Sequence, residues 1–399
     1  GTKTVPLMSG SAGAAGGAAG QVRLEPGAAL AVPVLRGDLD MCVFGTVTEV
    51  IGNKLLGFGH SFTGQGRTNV PIATGMVHTV IASQARSFKL GATIAVAGAL
   101  VGDEETGVLG VFGQEAPSIP ITVTVHEPNH KTQTYRYFSA VHDLYTPLMT
   151  GTALTASATA HQSVPREHTI RYKVAVDYGR LGTYRTENIS SQSGLSPARG
   201  DLVTPITMLL DNPFGRAAPK RVEAELWIEP RARAATIERV ELLRQRLKPG
   251  ETIEVRVWWQ LFRNGRTVET YTLKLPPDIR EGSYTLWVCS WQTHLRELRR
   301  EKPHLFQPRS LREQLEVFNR AASVRMDRLY LRLVGPQGGL SVDGVEFPDL
   351  PSFRRQIIQD STRTDVRPYI QALVVAHKTP YVVSGERKLK ITIDKRADQ

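Results

Sequence analysis

The chain has 399 residues, of which 41% are hydrophobic and 22% carry a charge. This length exceeds that of an ordinary single domain, and the apolar content is sufficient for packed cores, so we expect two or three globular domains. No window contains the roughly 18 apolar residues that a membrane-spanning helix requires. The N-terminus lacks a basic start followed by an apolar run, so no signal peptide is predicted.

The positive charge is concentrated in the later part of the chain. The formal net charge is +11; residues 1–150 contain 9 Lys and Arg against 10 Asp and Glu, whereas residues 151–399 contain 40 against 28. Such an excess of positive charge attracts anionic polymers, membranes or an acidic protein partner. No zinc finger or RNA-binding aromatic motif accompanies it, so the sequence does not favour nucleic acid.

The spacing of cysteine and histidine predicts neither a disulfide nor a metal site. Cys42 and Cys289 are the only cysteines and lie in different predicted domains, so two buried thiols are expected. His126, His130 and His142 match no zinc-binding spacing. We therefore predict no metal and no cofactor.

The first part of the chain has the pattern of a linker followed by a β domain. Residues 9–21 are almost entirely Gly, Ala and Ser, so residues 1–21 are predicted to form a flexible linker. Residues 22–160 are predicted to form the first domain, in which glycine turns separate short strands, a pattern typical of a barrel or a sandwich. The strands are expected at residues 29–35, 43–50, 55–58, 93–101, 107–112 and 119–125, and helical patterns at 79–85 and 135–148.

Strand patterns return after residue 168 and indicate a second β-rich region. Residues 252–261 alternate between apolar and polar side chains, and Asn264-Gly265 predicts a hairpin turn after them. Residues 235–247 fit either a strand or a helix. Together these patterns predict an immunoglobulin-like β-sandwich over residues 161–295.

The last hundred residues combine both types of secondary structure. Ser310 and Glu313 have the spacing of a capping box, which predicts the start of a helix. Residues 352–359 predict a second short helix, whereas residues 328–334 and 382–393 predict strands. A mixed α+β region is therefore expected over residues 296–399.

One segment has the composition of a catalytic turn. In Leu56-Gly57-Phe58-Gly59-His60-Ser61-Phe62, a histidine flanked by glycines follows a predicted strand, which places His60 on an exposed turn where a general base could reach a substrate. Taken alone, a histidine in a turn is more often structural than catalytic.

Several motifs around this turn resemble the SpoIVB-type serine peptidases in order and spacing. They extend over about residues 22–125 and comprise Glu25-Pro26-Gly27, Leu35-Arg36-Gly37-Asp38, Gly45-Thr46-Val47-Thr48, Phe58-Gly59-His60-Ser61-Phe62, Ser87-Phe88-Lys89-Leu90, Gly102-Asp103 and Thr106-Gly107-Val108-Leu109-Gly110. The resemblance implies a trypsin-like β-barrel, with His60 as the general base of a serine triad. It also implies an exported protein with a polypeptide substrate, from a family whose members cleave themselves.

The chain departs from the family pattern at the nucleophile. The family's Gly-Met-Ser-Gly-Ser-Pro motif is matched only by Met8-Ser9-Gly10-Ser11, with Leu7 before it and Ala12 after it. Ser9 is thus the candidate nucleophile within the chain, but a serine on a flexible linker could not be held within reach of His60. The expected Ser-bearing half is then a separate N-terminal segment.

A triad also needs a carboxylate to orient the imidazole. Asp38, Asp40 and Asp103 are available, and Asp103 is the candidate we select. Each of the three also fits a turn, because Arg36-Gly37-Asp38 and Gly102-Asp103 are typical turn sequences.

Two functions remain open at this point. The chain is either the His-bearing part of a serine endopeptidase that is inactive without its Ser-bearing segment, or a non-catalytic assembly or binding protein that keeps a peptidase-like scaffold with basic β domains. A fold of this type does not by itself imply activity.

Overall fold

The computed structural model describes residues 8–10, 23–82, 88–128, 131–263, 265–348, 350–360 and 365–396. Strands account for 52% of the residues and helices for 19%, which confirms a mainly β protein with several sheets. In the part of the chain so described, we find no helix with the length and apolar character needed to cross a membrane. The chain divides into two compact units.

The first unit comprises Gly1–Ser163, Val174–Tyr184 and Ala198–Leu226. Four of its elements, β10, β11, α2 and β12, contribute residues to both units. The elements are β1 (Met8–Gly10), β2 (Ala29–Gly37), β3 (Asp40–Ile51), β4 (Lys54–Gly57), β5 (Gly66–Ile81), β6 (Phe88–Glu104), β7 (Gly107–Phe112), β8 (Ser118–His126), β9 (Thr132–Ala140), α1 (Tyr145–Thr159), β10 (Thr169–Asp177), β11 (Thr183–Ser191), α2 (Ser196–Leu210) and β12 (Arg221–Glu229). The predicted strands between residues 29 and 125 are thereby confirmed.

Six of these strands pair in a closed ring. The sheet has the order β1-β3-β4-β7-β6-β5-β2-β9-β8-β12-β10-β11, and an additional pairing of β2 with β3 closes β2, β3, β4, β7, β6 and β5 on themselves. Burial alternates along β4, as expected for side chains that point to opposite faces of a strand, whereas β2 and β5 each contain six consecutive buried residues. The buried side chains include Leu30, Val47, Leu55, Ile72, Leu100 and Val108.

The second unit comprises Val164–Lys173, Arg185–Pro197 and Trp227–Gln399. Its remaining elements are β13 (Ala234–Leu242), β14 (Arg246–Leu247), β15 (Thr252–Leu261), β16 (Arg266–Lys274), β17 (Gly282–Cys289), α3 (Trp291–Glu301), α4 (Leu311–Ala322), β18 (Arg328–Val342), β19 (Val345–Phe347), α5 (Ser352–Gln359), β20 (Val366–Lys378), β21 (Val382–Ser384) and β22 (Glu386–Ile393). One sheet has the order β16-β15-β13-β21, and the other has the order β14-β22-β17-β18-β19 with β20 on β18.

The two sheets of the second unit share one hydrophobic core. Trp259 and Val257 from the first sheet lie in the same buried cluster as Leu286 and Leu331 from the second. Because β18, β20 and β22 belong to the second sheet, the predicted boundary at residue 296 does not separate two cores.

The structure also corrects the predicted helices of the first domain. Residues 79–81 end strand β5 instead of starting a helix, because they pair with 88–90 of β6. In the segment 135–148, residues up to Ala140 form β9, and the helix α1 begins only at Tyr145. Residues 235–247, left open between strand and helix, form β13 and β14.

The helices of the C-terminal region agree with their sequence signals. The Ser310 side chain accepts a hydrogen bond from the Glu313 N–H at 3.2 Å, and α4 begins at the next residue, Leu311. The helix α5 spans Ser352–Gln359, as predicted. Both cysteines are buried and unpaired.

Candidate functional site

His60 lies in the turn of residues 58–64 between β4 and β5, hereafter the His60 turn. The chain reverses sharply at its start, where Phe58 and Gly59 have φ angles of 71° and 69°. A phenylalanine rarely adopts this left-handed conformation, so the surrounding contacts must hold it. One such contact is the hydrogen bond from the Phe58 N–H to the carbonyl of Thr46, at 2.9 Å.

The Phe58 ring occupies the space beside Gly45. A Cβ atom added to Gly45 would lie 1.9 Å from a carbon of the Phe58 ring, so only glycine fits opposite this ring. The ring in turn lies beside the imidazole of His60, with 5.6 Å between the ring centroids. Gly45 thus makes room for the aromatic side chain that flanks His60.

The imidazole of His60 is exposed, and its orientation is set by its own turn. The Nδ1 atom lies 2.7 Å from the carbonyl oxygen of Ser61. A carbonyl oxygen can only accept, so Nδ1 carries the proton in this contact and Nε2 is the basic nitrogen. This tautomer is the one that a general base requires when it accepts a proton at Nε2.

Asp103, near the end of β6, fixes the second half of the turn. Its carboxylate accepts hydrogen bonds from the N–H groups of Phe62, Thr63 and Gly64 at 2.6, 2.7 and 2.7 Å, and from the Thr63 hydroxyl at 2.8 Å. Only 1% of the Asp103 surface is exposed. Burial alone would raise the pKa of Asp103, but the hydrogen bonds from Thr63, Phe62 and Gly64 outweigh it and hold the pKa below its ordinary value.

The role expected for Asp103 therefore differs from the role that it has in the structure. We predicted that it orients the imidazole of His60, whereas its hydrogen bonds go to the backbone of residues 62–65 and to the Thr63 side chain. Four of these five donors bind Oδ2, and Oδ1 accepts the Phe62 N–H. Asp103 anchors the His60 turn instead of contacting His60.

Two residues near the start of α1 complete the support of the turn. The ring of Phe62, which is 3% exposed, stacks on Tyr145 with 5.2 Å between centroids. It also meets the edge of His142, at 5.9 Å. The turn is thus held by a carboxylate on one side and by aromatic rings on the other.

His142, Thr63 and Asp103 have the outline of a triad, but the proton positions exclude one. The Nδ1 atom of His142 accepts the N–H of Leu144 at 3.1 Å, so the proton lies on Nε2. Nε2 is 3.3 Å from the Thr63 hydroxyl, which itself donates to Asp103. His142 is therefore a donor to Thr63 and cannot remove its proton. Burial lowers the pKa of His142 and keeps the ring neutral.

Ser9 lies on β1, whose backbone pairs with β3, and its side chain lies outside the described residues. Ser9 is opposite Met41, and Met41 is five positions from Thr46, the residue that binds the Phe58 N–H. At about 3.4 Å per residue, this is roughly 17 Å of strand. The described contacts do not bring Ser9 to His60. The rest of the predicted linker, residues 1–7 and 11–21, lies outside the described residues.

The other two candidate carboxylates bind backbone N–H groups. Asp40 accepts the N–H of Gly37, three residues earlier, at 3.0 Å, which agrees with the turn interpretation. Asp38 instead accepts the N–H of Arg136 on β9 at 2.6 Å, a contact between distant parts of the chain. Neither residue has a described hydrogen bond to His60.

No sequence pattern pointed to several of the residues that build the site. Thr63, His142 and Tyr145 carry no motif, and His142 is 79 residues from its partner Thr63. The sequence does show aromatic and hydroxyl residues directly after the Gly-His pair. Their role in holding the turn is clear only once the position of Asp103 is known.

The described residues contain no group of three or more His, Cys, Asp or Glu side chains arranged to hold a metal ion. We compared the chain with protein-family models, with curated proteins and with solved structures. No family model matches the chain. No curated protein and no solved structure matches it either.

Proposed function

We propose that this chain is the His-bearing part of a SpoIVB-like serine endopeptidase, inactive without an upstream Ser-bearing segment. The observation that supports the proposal best is the state of His60: the side chain is exposed, and its Nδ1 is held by the Ser61 carbonyl, so its basic Nε2 is available. An anchored turn keeps this orientation without any substrate present.

In the proposed reaction, His60 moves a proton twice. Nε2 accepts the proton of the nucleophilic serine as the serine oxygen attacks the peptide carbonyl. The same proton then passes to the leaving amine when the peptide bond breaks and the acyl-enzyme forms. A water molecule then gives a proton to His60 as its oxygen attacks the ester, and His60 passes this proton to the serine oxygen when the ester bond breaks and the carboxylic acid product leaves. The nucleophile proposed here belongs to the upstream segment, with Ser9 as the candidate within the chain.

The proposal includes the finer fold. We propose that the closed ring of β2 to β7 corresponds to one barrel of a trypsin-like peptidase, which is supported by its six antiparallel strands. For residues 161–295 we propose an immunoglobulin-like arrangement, supported by the antiparallel pairing of β13, β15 and β16 and by the core that they share with β17.

The alternative function, a non-catalytic binding or assembly protein, has one observation in its favour. The described hydrogen bonds of Asp103 go to residues 62–65, and none of the three candidate carboxylates has a described contact with the imidazole. A serine triad normally has such a carboxylate.

A fluorophosphonate probe, which labels activated serines, separates the two functions. The protein should be expressed both as this chain and with the coding sequence upstream of Gly1 included. We expect labelling only of the longer form, and its loss in His60→Ala. His161→Ala, which removes another exposed histidine, serves as the matched control and should be labelled normally. Absence of labelling in both forms, from folded protein, would favour the binding function; labelling that survives in His60→Ala would exclude His60 as the base.

A further inference from the structure

One strand edge in the first unit has no partner strand among the described residues. Within the described residues, β5 pairs with β2 only at Thr74 and Ala73, so beyond Thr74 its sole ladder partner is β6. Residues 75–81 therefore present a row of N–H and C=O groups that no strand of the described chain pairs on this side. Such an edge is a template for another strand.

The composition of this edge differs from that of the longer outer strands. Proteins protect exposed edges with charged residues or proline. The outer strands β11, β16 and β20 carry charged residues, as in Arg266, Glu269 and Lys274 on β16, whereas the three-residue outer strand β21 carries none. The sequence Gly75-Met76-Val77-His78-Thr79-Val80-Ile81 contains no Lys, Arg, Asp, Glu or Pro.

The side chains along this edge are apolar and open to solvent. Met76, Val80 and Ile81 are 45%, 58% and 40% exposed. Across the hairpin, Ile94 on β6 is 38% exposed. An unpaired edge with exposed apolar side chains provides both backbone groups and apolar surface for an added extended strand.

This part of the hairpin lies beside the His60 turn. Val80 is paired with Lys89, whose Nζ donates to the Thr46 hydroxyl at 3.2 Å. The carbonyl of the same Thr46 accepts the N–H of Phe58, two residues before His60. The unpaired edge of residues 75–81 is thus linked by these contacts to the turn that carries the candidate catalytic histidine.

We propose that residues 75–81 of β5 bind an extended, uncharged polypeptide segment by strand addition. Backbone hydrogen bonds provide the affinity, and apolar side chains at alternate positions of the bound segment pack on the exposed residues of the hairpin. The identification of this segment as the substrate rests on the proposed peptidase function, whereas the binding itself does not.

The test uses fluorescence anisotropy with a labelled peptide in which valine and threonine alternate between terminal lysines. We expect saturable binding, and binding about tenfold weaker for the same peptide with N-methylated backbone amides, which cannot form the ladder. Hydrogen exchange should show protection of residues 75–81 on addition of the unmodified peptide.

Variants identify the surface. Val80→Lys places a charge on the edge and should weaken binding about tenfold. Val268→Lys is the matched control, since Val268 is 47% exposed on the outer strand β16, and it should bind as the native chain does. His60→Ala should also bind normally, so loss of probe labelling and loss of peptide binding are independent results.

Three outcomes would overturn the proposal: no binding of the unmodified peptide, equal binding of the N-methylated peptide, or unchanged binding by Val80→Lys. A dimer of the native chain that Val80→Lys dissociates, seen by light scattering, would assign the edge to a second copy of the chain instead.

Discussion

Asp103 shows how one side chain can determine the geometry of a turn that it does not belong to. Its carboxylate collects three backbone N–H groups and a hydroxyl from residues 62–64. Without it, these donors would be buried with no acceptor, which costs more than the bonds themselves contribute. The position of His60 is therefore a consequence of a residue on another strand.

Replacing Asp103 by Asn is expected to loosen the His60 turn, because an amide offers one acceptor oxygen and adds donors to a site already rich in donors. We expect a local loss of about 2–3 kcal/mol, measured as faster hydrogen exchange at residues 62–64. The neighbouring exposed Glu104→Gln is the control and should leave exchange unchanged. Equal exchange in Asp103→Asn and the native chain would contradict the anchoring role.

His294, in the second unit, makes stability depend on pH. Its Nδ1 accepts from the buried Arg332 guanidinium at 2.5 Å, and the ring stacks on Tyr330 with 4.1 Å between centroids. Burial, followed by the Arg332 charge, lowers the pKa of His294 to about 3. In the unfolded chain this histidine has its ordinary pKa near 6.5, so between these values the unfolded state binds more protons.

The second unit should therefore lose stability as the pH falls below about 6.5, by up to roughly 1.4 kcal/mol per pH unit from this group. All five tryptophans belong to that unit, so urea unfolding followed by tryptophan fluorescence measures it. His294→Asn keeps an acceptor for Arg332 but does not titrate, and should flatten the slope. A slope that persists in this variant would assign the pH dependence to other groups.

At the scale of elements, local signals predicted structure where local contacts determine it. The strand β15 and the helix α4 agree with the sequence because alternation and a capping box act within a few residues. The helix predicted at residues 79–85 is wrong over its described part because Val80 and Ile81 are β-branched and pair with a distant strand. The helix α1 was not recognised beyond residue 148, since its Thr and Ser hydroxyls bond to carbonyls four residues earlier, a contact with no sequence signature.

The cap of α4 gives a test at this scale. Ser310→Ala removes the acceptor for the Glu313 N–H and should destabilise the second unit by about 1 kcal/mol. Ser310→Asp, which restores an acceptor, should recover most of this loss in the same urea titration. The exposed Ser283→Ala on β17 is the matched control for the loss of a hydroxyl. Equal stability of Ser310→Ala and the native chain would show that the cap contributes nothing.

At the scale of the whole molecule, the class of fold was accessible from the sequence and the arrangement was not. Regular strand patterns predicted a mainly β chain, but neither the ring closure between β2 and β3 nor the common core of the second unit follows from any local pattern. Similarly, the glycines beside His60 mark it as a candidate in the sequence. The residues that hold its turn in place lie about 40 and 80 residues further along the chain, beyond the reach of a local pattern. Such contacts are decided by tertiary packing, which a single sequence does not display.

Part of the basic surplus is paired with carboxylates of the second unit. In the run Arg296, Arg299, Arg300 and Lys302, the three arginines are exposed, as expected for a solvated face. Arg296 is also paired with Glu297 and Glu386, and Lys302 with Glu346. An acidic partner remains a prediction for the basic part of the chain.

The contact between Gly45 and Phe58 restricts the order in which substitutions at these two positions can be accepted. A side chain at position 45 would overlap the ring at position 58, so that substitution is tolerated only after the ring has been replaced by something smaller. Removing the ring first, however, takes away the neighbour of His60. Any lineage that alters position 45 must therefore pass through a form with an altered histidine environment, and the two positions are expected to evolve as a pair.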